Sequence, residues 1–288
     1  MNQLKNLIFF GTSPRSAVFL EKAIKNGLKF DLVVSEPAKP FGRKKELREN
    51  PTVIVAKKFQ IPYFENFQEI LTKPQPEIGL IFDFNKIVPE NLINYFKKGI
   101  INIHFSKLPQ YRGPAPVQYT VLNGDKYAWI TYLLISPKLD QGKIIFQSSL
   151  ELDLKETSES LYLKLIDKAT EEIKTVIEDY LSGKLVPQPQ TGTPSYTQKL
   201  TSQNCQIDWK KTPQEIERLI RAAFKEPGAW TSVQIRSKSA RILETKRLKI
   251  LKAHLEDNKL VLDQVQLEGK KPVNFKQFLQ GYPEAKLS

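Results

Sequence analysis

The stretch EIGLIFDFNKIVPENLINYFKKGIINIH, residues 77–104, decides the fold class of this chain. Its first and last runs, EIGLIFDF and GIINIH, are apolar enough to be buried on both faces, and the segment between them has helical spacing. LIFF (7–10) and FDLVVS (30–35) repeat the pattern around the helical SAVFLEKAIKNG (16–27). Strands that alternate with helices predict an α/β domain with a mostly parallel sheet covered by helices.

The rest of the chain predicts a second, smaller domain. A long amphipathic helix at 158–181 precedes SGKLVPQPQTGTPSYTQ, which is rich in Pro, Gly, Ser and Thr and is typical of an extended linker. Beyond residue 205 come one short helix and several strand-like runs, which favour a small β-barrel. The predicted organisation is a first domain at 1–183, a linker at 184–204 and a β-barrel domain at 205–288.

Composition narrows the class of protein. The 288 residues carry 44 Lys and Arg against 31 Asp and Glu, a net charge of +13, and the excess favours a polyanionic partner such as nucleic acid. Solvated surface charge is the alternative explanation. The single cysteine, Cys205, and two distant histidines argue against a disulfide or a metal site. No apolar run approaches the roughly 20 residues of a membrane span, so we expect a cytoplasmic protein without a signal peptide.

One histidine stands where ligands bind in such sheets. His104 ends the run GIINIH two residues after Asn102, and the carboxyl ends of parallel strands are the usual ligand-binding edge of an α/β sheet. The turn LDQG, which contains Asp140, follows 36 residues after His104. A lone histidine at a strand end is more often structural, so the position alone indicates only a pocket.

These residues lie within longer segments that resemble a known family. NIHFSKLPQYRGPAPVQYTVLNG followed by LDQG is similar to the signature of formyltransferases that use 10-formyltetrahydrofolate. IFFGTSPRSAVFLEKAI near the start and IDWKKTPQEIERLIRAAFKEPGAW after the linker extend the resemblance over almost the whole chain. Within the superfamily, the chain most resembles the methionyl-tRNA formyltransferase family. The resemblance implies a Rossmann-like catalytic domain followed by a barrel of the oligonucleotide-binding type.

Formyl transfer to an amine needs hydrogen-bond donors for a developing oxyanion and a route for protons. The amide of Asn102 supplies one donor. His104 in its protonated form supplies a second and can relay a proton, while the Asp140 carboxylate orients the imidazole and helps to take protons from the amine through water. The family's catalytic Asn, His and Asp match Asn102, His104 and Asp140, so the resemblance implies that these three are catalytic.

The resemblance also implies a folate site. Residues 106–109 match the segment that lines this site in the family, namely Ser106, Lys107, Leu108 and Pro109. FDFNKIVP (82–89) replaces an alanine-tyrosine-glycine sequence beside the pterin, with Phe84 as an aromatic wall and Asn85 and Lys86 beside it. This departure leaves open how Asp83, Asn85 and Lys86 contact the pterin. Gln141 stands where threonine is common in the family.

A basic segment, KPFGRKKELR at 39–48, is either a solvated loop or a contact for tRNA. In the resembling family a basic loop at this position enters the acceptor end of the initiator tRNA. The tRNA contacts that the resemblance and the charge predict are Arg43, Lys44 and Lys45 in this loop and Lys246, Arg247 and Lys249 in the last domain, with Lys252 nearby.

The sequence therefore predicts a monomeric enzyme that moves a formyl group from 10-formyltetrahydrofolate to the amino group of methionyl initiator tRNA for translation initiation. It needs no metal and no membrane. A sugar-nucleotide N-formyltransferase shares the three catalytic residue types but gives no reason for the basic loop. Glycinamide ribonucleotide formyltransferase leaves the residues after 205 unexplained. A catalytically inactive tRNA-binding module is the third alternative, and the intact Asn, His and Asp argue against it.

Overall fold

The computed structural model describes residues 6–41, 46–236 and 243–288. Two compact units are present. The first comprises Met1–Gly113, Trp129–Leu150 and Leu163–Tyr196, and the second comprises Pro114–Ala128, Glu151–Tyr162 and Thr197–Ser288. We call them unit 1 and unit 2.

These units differ from the predicted domains in two ways. Residues 184–196, expected to be a linker, belong to unit 1, and two earlier segments belong to unit 2. Hydrogen bonds explain the first difference, because the backbone of Gln188 donates to and accepts from the backbone of Ile144 at 2.8 Å in both directions. A Pro-rich composition gives no signal for such pairing.

Short strands and helices alternate along the first part of the described chain. Up to residue 104 they are β1 (Leu7–Phe10), α1 (Pro14–Lys25), β2 (Leu32–Val34), β3 (Lys39–Phe41), β4 (Glu46–Arg48), α2 (Pro51–Lys58), β5 (Tyr63–Phe64), a 3₁₀ helix (Phe67–Thr72), β6 (Ile78–Ile81), α3 (Glu90–Ile93) and β7 (Ile100–His104). After residue 104 the elements are α4 (Pro116–Asn123), β8 (Tyr127–Leu134), β9 (Ile144–Glu151), α5 (Ser158–Leu181), α6 (Pro213–Ala222), β10 (Trp230–Arg236), β11 (Leu243–Glu256), β12 (Lys259–Leu267), β13 (Val273–Asn274), α7 (Phe275–Gly281) and β14 (Lys286–Leu287).

The larger sheet has the order β5-β2-β1-β6-β7-β8-β9 among the described residues. β1 pairs in parallel with β2 and β6, and β6 pairs in parallel with β7. All four residues of β1 and all four of β6 are buried, as expected for central parallel strands covered on both faces. β7 pairs with β8 in the antiparallel direction. The prediction of a mostly parallel, Rossmann-like sheet is therefore confirmed.

The helix between β6 and β7 is much shorter than the segment with helical spacing in the sequence. α3 covers only Glu90–Ile93. The amides of Tyr95 and Phe96 donate to carbonyls three residues back, which tightens the chain into turns before Gly99 at φ 75°. These turns bury Leu92 and Phe96, the side chains that a full helix would also bury.

Unit 2 contains the antiparallel sheet β13-β12-β11-β10-β14. Its core includes Cys205, Ile216, Val233, Leu248 and Val265. α6 begins at a capping box, in which the Thr212 side chain accepts from the backbone of Glu215 and the Glu215 side chain accepts from the backbone of Thr212. The predicted small β domain with its short helix is thus present. Among the described residues, no helix is long and apolar enough to cross a membrane.

Candidate active site

Asn102 and His104 lie at the carboxyl end of β7, two residues apart. Side chains alternate along a strand, so both project from the same face of the sheet. Asn102 pairs with Ile81 on one side and with Leu133 on the other, while His104 pairs with Thr131. Asn102 is half-buried and His104 is buried. Strand pairing therefore holds the backbone of Asn102 from both sides and that of His104 from the β8 side.

Asp140 meets His104 from the loop between β8 and β9. Its Oδ1 lies 3.7 Å from Nδ1 of His104, and the two side chains are only 5% and 8% exposed. This distance is longer than a direct hydrogen bond, but catalytic contacts in a site without substrate often tighten when the substrate binds. The structure therefore brings together the predicted histidine and aspartate.

The other ring nitrogen of His104 faces a backbone carbonyl. Nε2 lies 3.0 Å from the oxygen of Tyr111, which can only accept, so this nitrogen donates. Tyr111 holds a left-handed backbone conformation with φ 58°. The imidazole is thus set between a carbonyl and a carboxylate, and in its doubly protonated form it has an acceptor on each side.

Two local features hold the Asp140 loop. The backbone amide of Gly113 donates to Oδ2 of Asp140 at 2.8 Å, which leaves Oδ1 to face His104. Asp140 has φ 54°, a conformation that non-glycine residues seldom adopt. A Cβ on Gly142 would run into the backbone carbonyl of Leu134, so only glycine fits there. The LDQG turn is a geometrically restricted platform for the carboxylate.

The predicted pterin loop is tied to the start of α1. The backbone carbonyl of Asp83 accepts from the amide of Thr12 at 3.3 Å and from the hydroxyl of Ser16 at 2.9 Å. Oγ of Ser13 donates to Oδ2 of Asp83 at 2.5 Å. The amide of Asn85 donates to Oγ1 of Thr12 at 3.0 Å. Asp83, which departs from the family's pattern, thus anchors the loop.

The predicted aromatic wall is half-buried. The ring of Phe84 packs edge-on against Phe10 at 5.6 Å between centroids and against Phe67 at 6.4 Å. Nζ of Lys86 lies 5.7 Å from the centre of the Phe67 ring. Asn85 and Lys86 are exposed. No contact links these side chains to His104 among the described residues.

The segment 106–109 contributes to a cavity of about 390 Å³ in unit 1. The described lining of this cavity comprises residues 107–110, Ile144, Gln147 and residues 188, 189 and 191–193, and does not include His104 or Asp140. Ser106 is buried and is not among the lining residues; its hydroxyl donates to the carbonyl of Gln110 at 2.6 Å. Lys107 is exposed and its Nζ lies 4.3 Å from the centre of the Trp129 ring. The predicted folate residues are thus spread over two surfaces.

The predicted tRNA contacts fall into two groups, one outside the described residues and one on β11. Arg43, Lys44 and Lys45 lie outside the described residues. On β11, Arg247 and Lys249 alternate with the buried Leu248 and Ile250, so they share the outer face, whereas Lys246 has the opposite parity. Lys246 pairs with Glu244 at 2.8 Å, and this hydrogen bond raises the pKa of the lysine.

Arg247 is engaged within unit 2. Its guanidinium lies 4.1 Å from the centre of the Trp230 ring, and Nη1 donates to Oγ of Ser202 at 3.0 Å. Lys249 has no hydrogen-bond acceptor or ion pair among residues 6–41, 46–236 and 243–288. It is therefore the one of these three cations whose charge is available to an external phosphate.

In the part of the chain that the structure describes, no group of three or more His, Cys, Asp or Glu side chains could hold a metal ion.

Sequence reasoning missed several residues that position the site. The hydroxyls of GTSPRS and the amide of Gly113 were signalled only by their place at strand and helix ends. Gln190, whose side chain donates to the backbone carbonyls of Asp140 and Gly142, gave no signal in the sequence because it lies in the predicted linker.

A buried histidine at the carboxyl end of a parallel strand, faced by an aspartate from a neighbouring loop in a Rossmann-like sheet, fits an enzyme of the α/β class. The chain belongs to the formyl transferase family. The family model for the formyl transferase domain matches residues 5–177, and the model for its C-terminal domain matches residues 199–283. The chain is therefore an enzyme of formyl transfer.

The comparisons with individual proteins agree with this family. The methionyl-tRNA formyltransferase of Thermodesulfovibrio yellowstonii is 31% identical over 96% of this chain and 95% of its own length. That of Protochlamydia amoebophila is 27% identical over 99% and 98%.

Solved structures share the fold at lower identity. A methionyl-tRNA formyltransferase from Clostridium thermocellum has a TM-score of 0.61 at 20% identity, covering 91% of this chain and 98% of its own. An N-formyltransferase from Helicobacter canadensis, in complex with folinic acid and dTDP-3-aminofucose, has a TM-score of 0.62 at 23% identity, covering 93% and 98%.

Proposed function

We propose that this enzyme transfers a formyl group from 10-formyltetrahydrofolate to the free amino group of methionyl initiator tRNA, in the cytoplasm, to supply translation initiation. The observation that carries the proposal is the buried His104–Asp140 pair at the end of β7, in a chain whose curated relatives are named for this reaction over nearly their full length.

Asn102, His104 and Asp140 are the proposed catalytic residues. The reaction forms a bond between the acceptor nitrogen and the formyl carbon and breaks the bond between that carbon and the donor nitrogen. Negative charge develops on the formyl oxygen, and the Asn102 amide is a donor for it. The His104 imidazolium becomes the second donor when the bound substrate replaces the Tyr111 carbonyl as the acceptor for Nε2. The acceptor nitrogen must lose one proton, and the leaving nitrogen must gain one. Asp140 accepts the first through water and His104 delivers the second.

The donor supplies the formyl group in an activated form when bound. The residues that fit its flat heterocycle are Phe84, whose half-buried ring offers an apolar face, and the backbone of the loop that Asp83 anchors. Asn85 and Lys86 are exposed on the same loop, and Ser106, Lys107, Leu108 and Pro109 form the second proposed contact segment.

The proposed acceptor surface is basic. The net charge of +13 and the exposed face of β11 favour a polyanion over a neutral metabolite. Lys249 is the proposed phosphate contact on this face, and Lys246 and Arg247 contribute to the local positive potential. Arg43, with Lys44 and Lys45, is the proposed contact for the acceptor end, since a guanidinium stacks on bases and bridges phosphates.

A sugar-nucleotide acceptor is the second candidate, because an N-formyltransferase solved with an amino-sugar nucleotide shares the fold to the same degree as the tRNA enzyme. The two candidates separate in one experiment. The purified protein is incubated with the donor carrying a radiolabelled formyl group and with methionyl initiator tRNA, methionyl elongator tRNA, uncharged initiator tRNA or a dTDP-amino sugar.

We expect label in the acid-precipitable RNA with methionyl initiator tRNA, released by mild base as formylmethionine, and far less with the other acceptors. Label on the amino sugar alone would overturn the proposal in favour of the sugar enzyme. No label on any acceptor, with the donor bound, would argue for a binding module.

A further inference from the structure

Residues 188–196 contact two loops of the site: the loop that presents the Tyr111 carbonyl to His104, and the loop that carries Asp140. Ser195 donates its amide to the carbonyl of Pro109 at 3.2 Å, and its own carbonyl accepts from the amide of Arg112 at 2.9 Å. Oγ of Ser195 accepts from the amide of Tyr111 at 2.9 Å. The carbonyl that faces His104 is thus held from this segment, within unit 1.

Gln190 holds the other loop. Its Nε2 donates to the carbonyl of Asp140 at 2.8 Å and to the carbonyl of Gly142 at 3.0 Å. One side-chain amide therefore links the two carbonyls that flank Gln141. A primary amide has two N–H groups, and both are used in these bonds.

The orientation of the Gln190 amide is fixed by Arg112. Oε1 of Gln190 accepts from Nη2 of Arg112 at 2.6 Å and from Nε at 3.2 Å. A guanidinium carries only donors, so it selects the oxygen of the amide and turns the nitrogen toward the Asp140 loop. Gln190 is half-buried, which limits competition from water.

The loop needs such a restraint. Asp140 stays at φ 54° only if the surroundings favour this left-handed conformation, which non-glycine residues seldom adopt and which is unfavourable on its own. A relaxed Asp140 backbone would turn the carboxylate away from the Gly113 amide and from His104. The two hydrogen bonds from Gln190 to the carbonyls of Asp140 and Gly142 restrain this backbone conformation.

We propose that Gln190 is a positioning residue for formyl transfer: its amide holds the backbone of Asp140 and Gly142 so that the carboxylate faces His104. The activity arm of the test rests on the proposed function, and a second arm does not. Gln190 makes none of its four hydrogen bonds with a side chain of the proposed catalytic residues, so its effect reaches the reaction through the Asp140 backbone.

The deciding substitution is Gln190→Glu. It keeps the size of the side chain and its acceptor for Arg112 but replaces both donors with an oxygen that repels the two carbonyls. We expect kcat to fall by about 10- to 100-fold, since small displacements of reacting groups have effects of this size, with each KM within about twofold of wild type. Gln75→Glu is the matched control, because the Gln75 side chain is exposed in unit 1, does not line the described cavity and makes no hydrogen bond among the described residues. Its kcat is expected to match wild type.

The second arm is NMR of the two histidines. With only His104 and His254 in the chain, the imidazole signals are resolved without ambiguity. In Gln190→Glu the His104 signals are expected to shift or broaden and the His254 signals to stay unchanged. In Gln75→Glu the signals of both histidines and the thermal midpoint are expected to match wild type. Gln190→Met keeps the volume of the side chain and removes all its polar atoms. Comparing it with Gln190→Glu shows whether the effect comes from the lost hydrogen bonds or only from the new negative charge.

Wild-type kcat together with unchanged His104 signals in both Gln190 variants would overturn the proposal. So would a loss confined to KM, which would place Gln190 in substrate binding. If the wild-type enzyme itself moves no formyl group to tRNA, the proposed function fails, and the histidine signals still decide whether Gln190 positions the pair.

Discussion

The chain contains two His–Asp pairs, and they differ in almost everything except composition. His254 and Asp263 lie on β11 and β12, with Nδ1 3.0 Å from both carboxylate oxygens and side chains 51% and 30% exposed. His104 and Asp140 are farther apart at 3.7 Å but only 8% and 5% exposed. The closer pair is exposed to water, which screens its interaction, whereas the buried pair has backbone partners on both sides, the Tyr111 carbonyl and the Gly113 amide. The proposed catalytic role of the His104–Asp140 pair therefore rests on its restraint and its burial and not on proximity alone.

The first prediction tests the difference between the two pairs by neutralising each aspartate. Asp140→Asn keeps the shape of the side chain and an acceptor for Gly113 but removes the carboxylate that takes protons. We expect kcat for formyl transfer to fall by about 10²- to 10⁴-fold, the usual contribution of a positioned acid or base. Asp263→Asn removes the same charge beside the other histidine, and activity is expected to stay within twofold. Equal losses in the two variants, measured by single-turnover transfer, would contradict the comparison.

The second prediction tests the platform under Asp140. Gly142→Ala forces a Cβ against the carbonyl of Leu134, so the loop must move. We expect the free energy of unfolding to fall by about 2 kcal/mol and the transfer rate to fall with it, as overpacking predicts. Gly281→Ala is the control, since a Cβ there meets open space within α7. Urea unfolding of both proteins measures the difference, and wild-type stability in Gly142→Ala would show that the loop has room to adjust.

The third prediction concerns the exposed region that carries the second pair. Lys249→Ala is expected to weaken binding of tRNA modestly and to lower the slope of log affinity against log salt by about 0.7 to 0.9, the signature of one lost phosphate contact. Arg247→Ala should instead lower the free energy of unfolding by about 0.5–1 kcal/mol, because its guanidinium stacks on Trp230. A salt titration in which Lys249→Ala keeps the wild-type slope would remove this lysine from the proposed tRNA surface.

The smallest effect is expected at Cys205. Burial raises the pKa of this thiol to about 11 from its ordinary value of 9.0, so little thiolate exists in the folded protein at pH 8. Alkylation by a thiol reagent should be slow in the native state and fast in urea. Native protein that has not yet been alkylated should keep its formyl-transfer activity in the presence of the reagent. Because the unfolded thiol ionises first, its contribution to stability is present below pH 9 and is lost as the pH rises toward 11. Rapid native-state labelling at pH 8 would contradict the burial.

The strands β1, β2, β6 and β7 of the larger sheet were predicted because segments with helical spacing separate their apolar runs, whereas β5, β8 and β9 were not predicted. Asn102 and His104 could be placed at the ligand-binding edge for the same reason. Asp140 could not be placed from the pattern, since it reaches His104 from a loop between β8 and β9 and not from the end of a parallel strand. Its assignment came from the resemblance, and the structure supplies the contact.

The helix–turn at 89–98 and the segment 184–196 show where patterns fail. In the first, three-residue turns bury the same apolar side chains as a helix does. In the second, Pro, Gly and Ser favour a linker by composition, but Gln190 and Ser195 make specific hydrogen bonds that depend on residues about 50 to 85 positions away. Contacts at such separations leave no local periodicity to read.

The most direct measurement is single-turnover formyl transfer by His104→Asn and His254→Asn at saturating donor and methionyl initiator tRNA. We expect His104→Asn to retain the thermal midpoint and donor binding but to lose at least about 100-fold in rate, because it loses the group that relays a proton and stabilises the oxyanion. His254→Asn should transfer at the wild-type rate. A folded His104→Asn enzyme that transfers as fast as wild type would contradict the catalytic role of the buried pair.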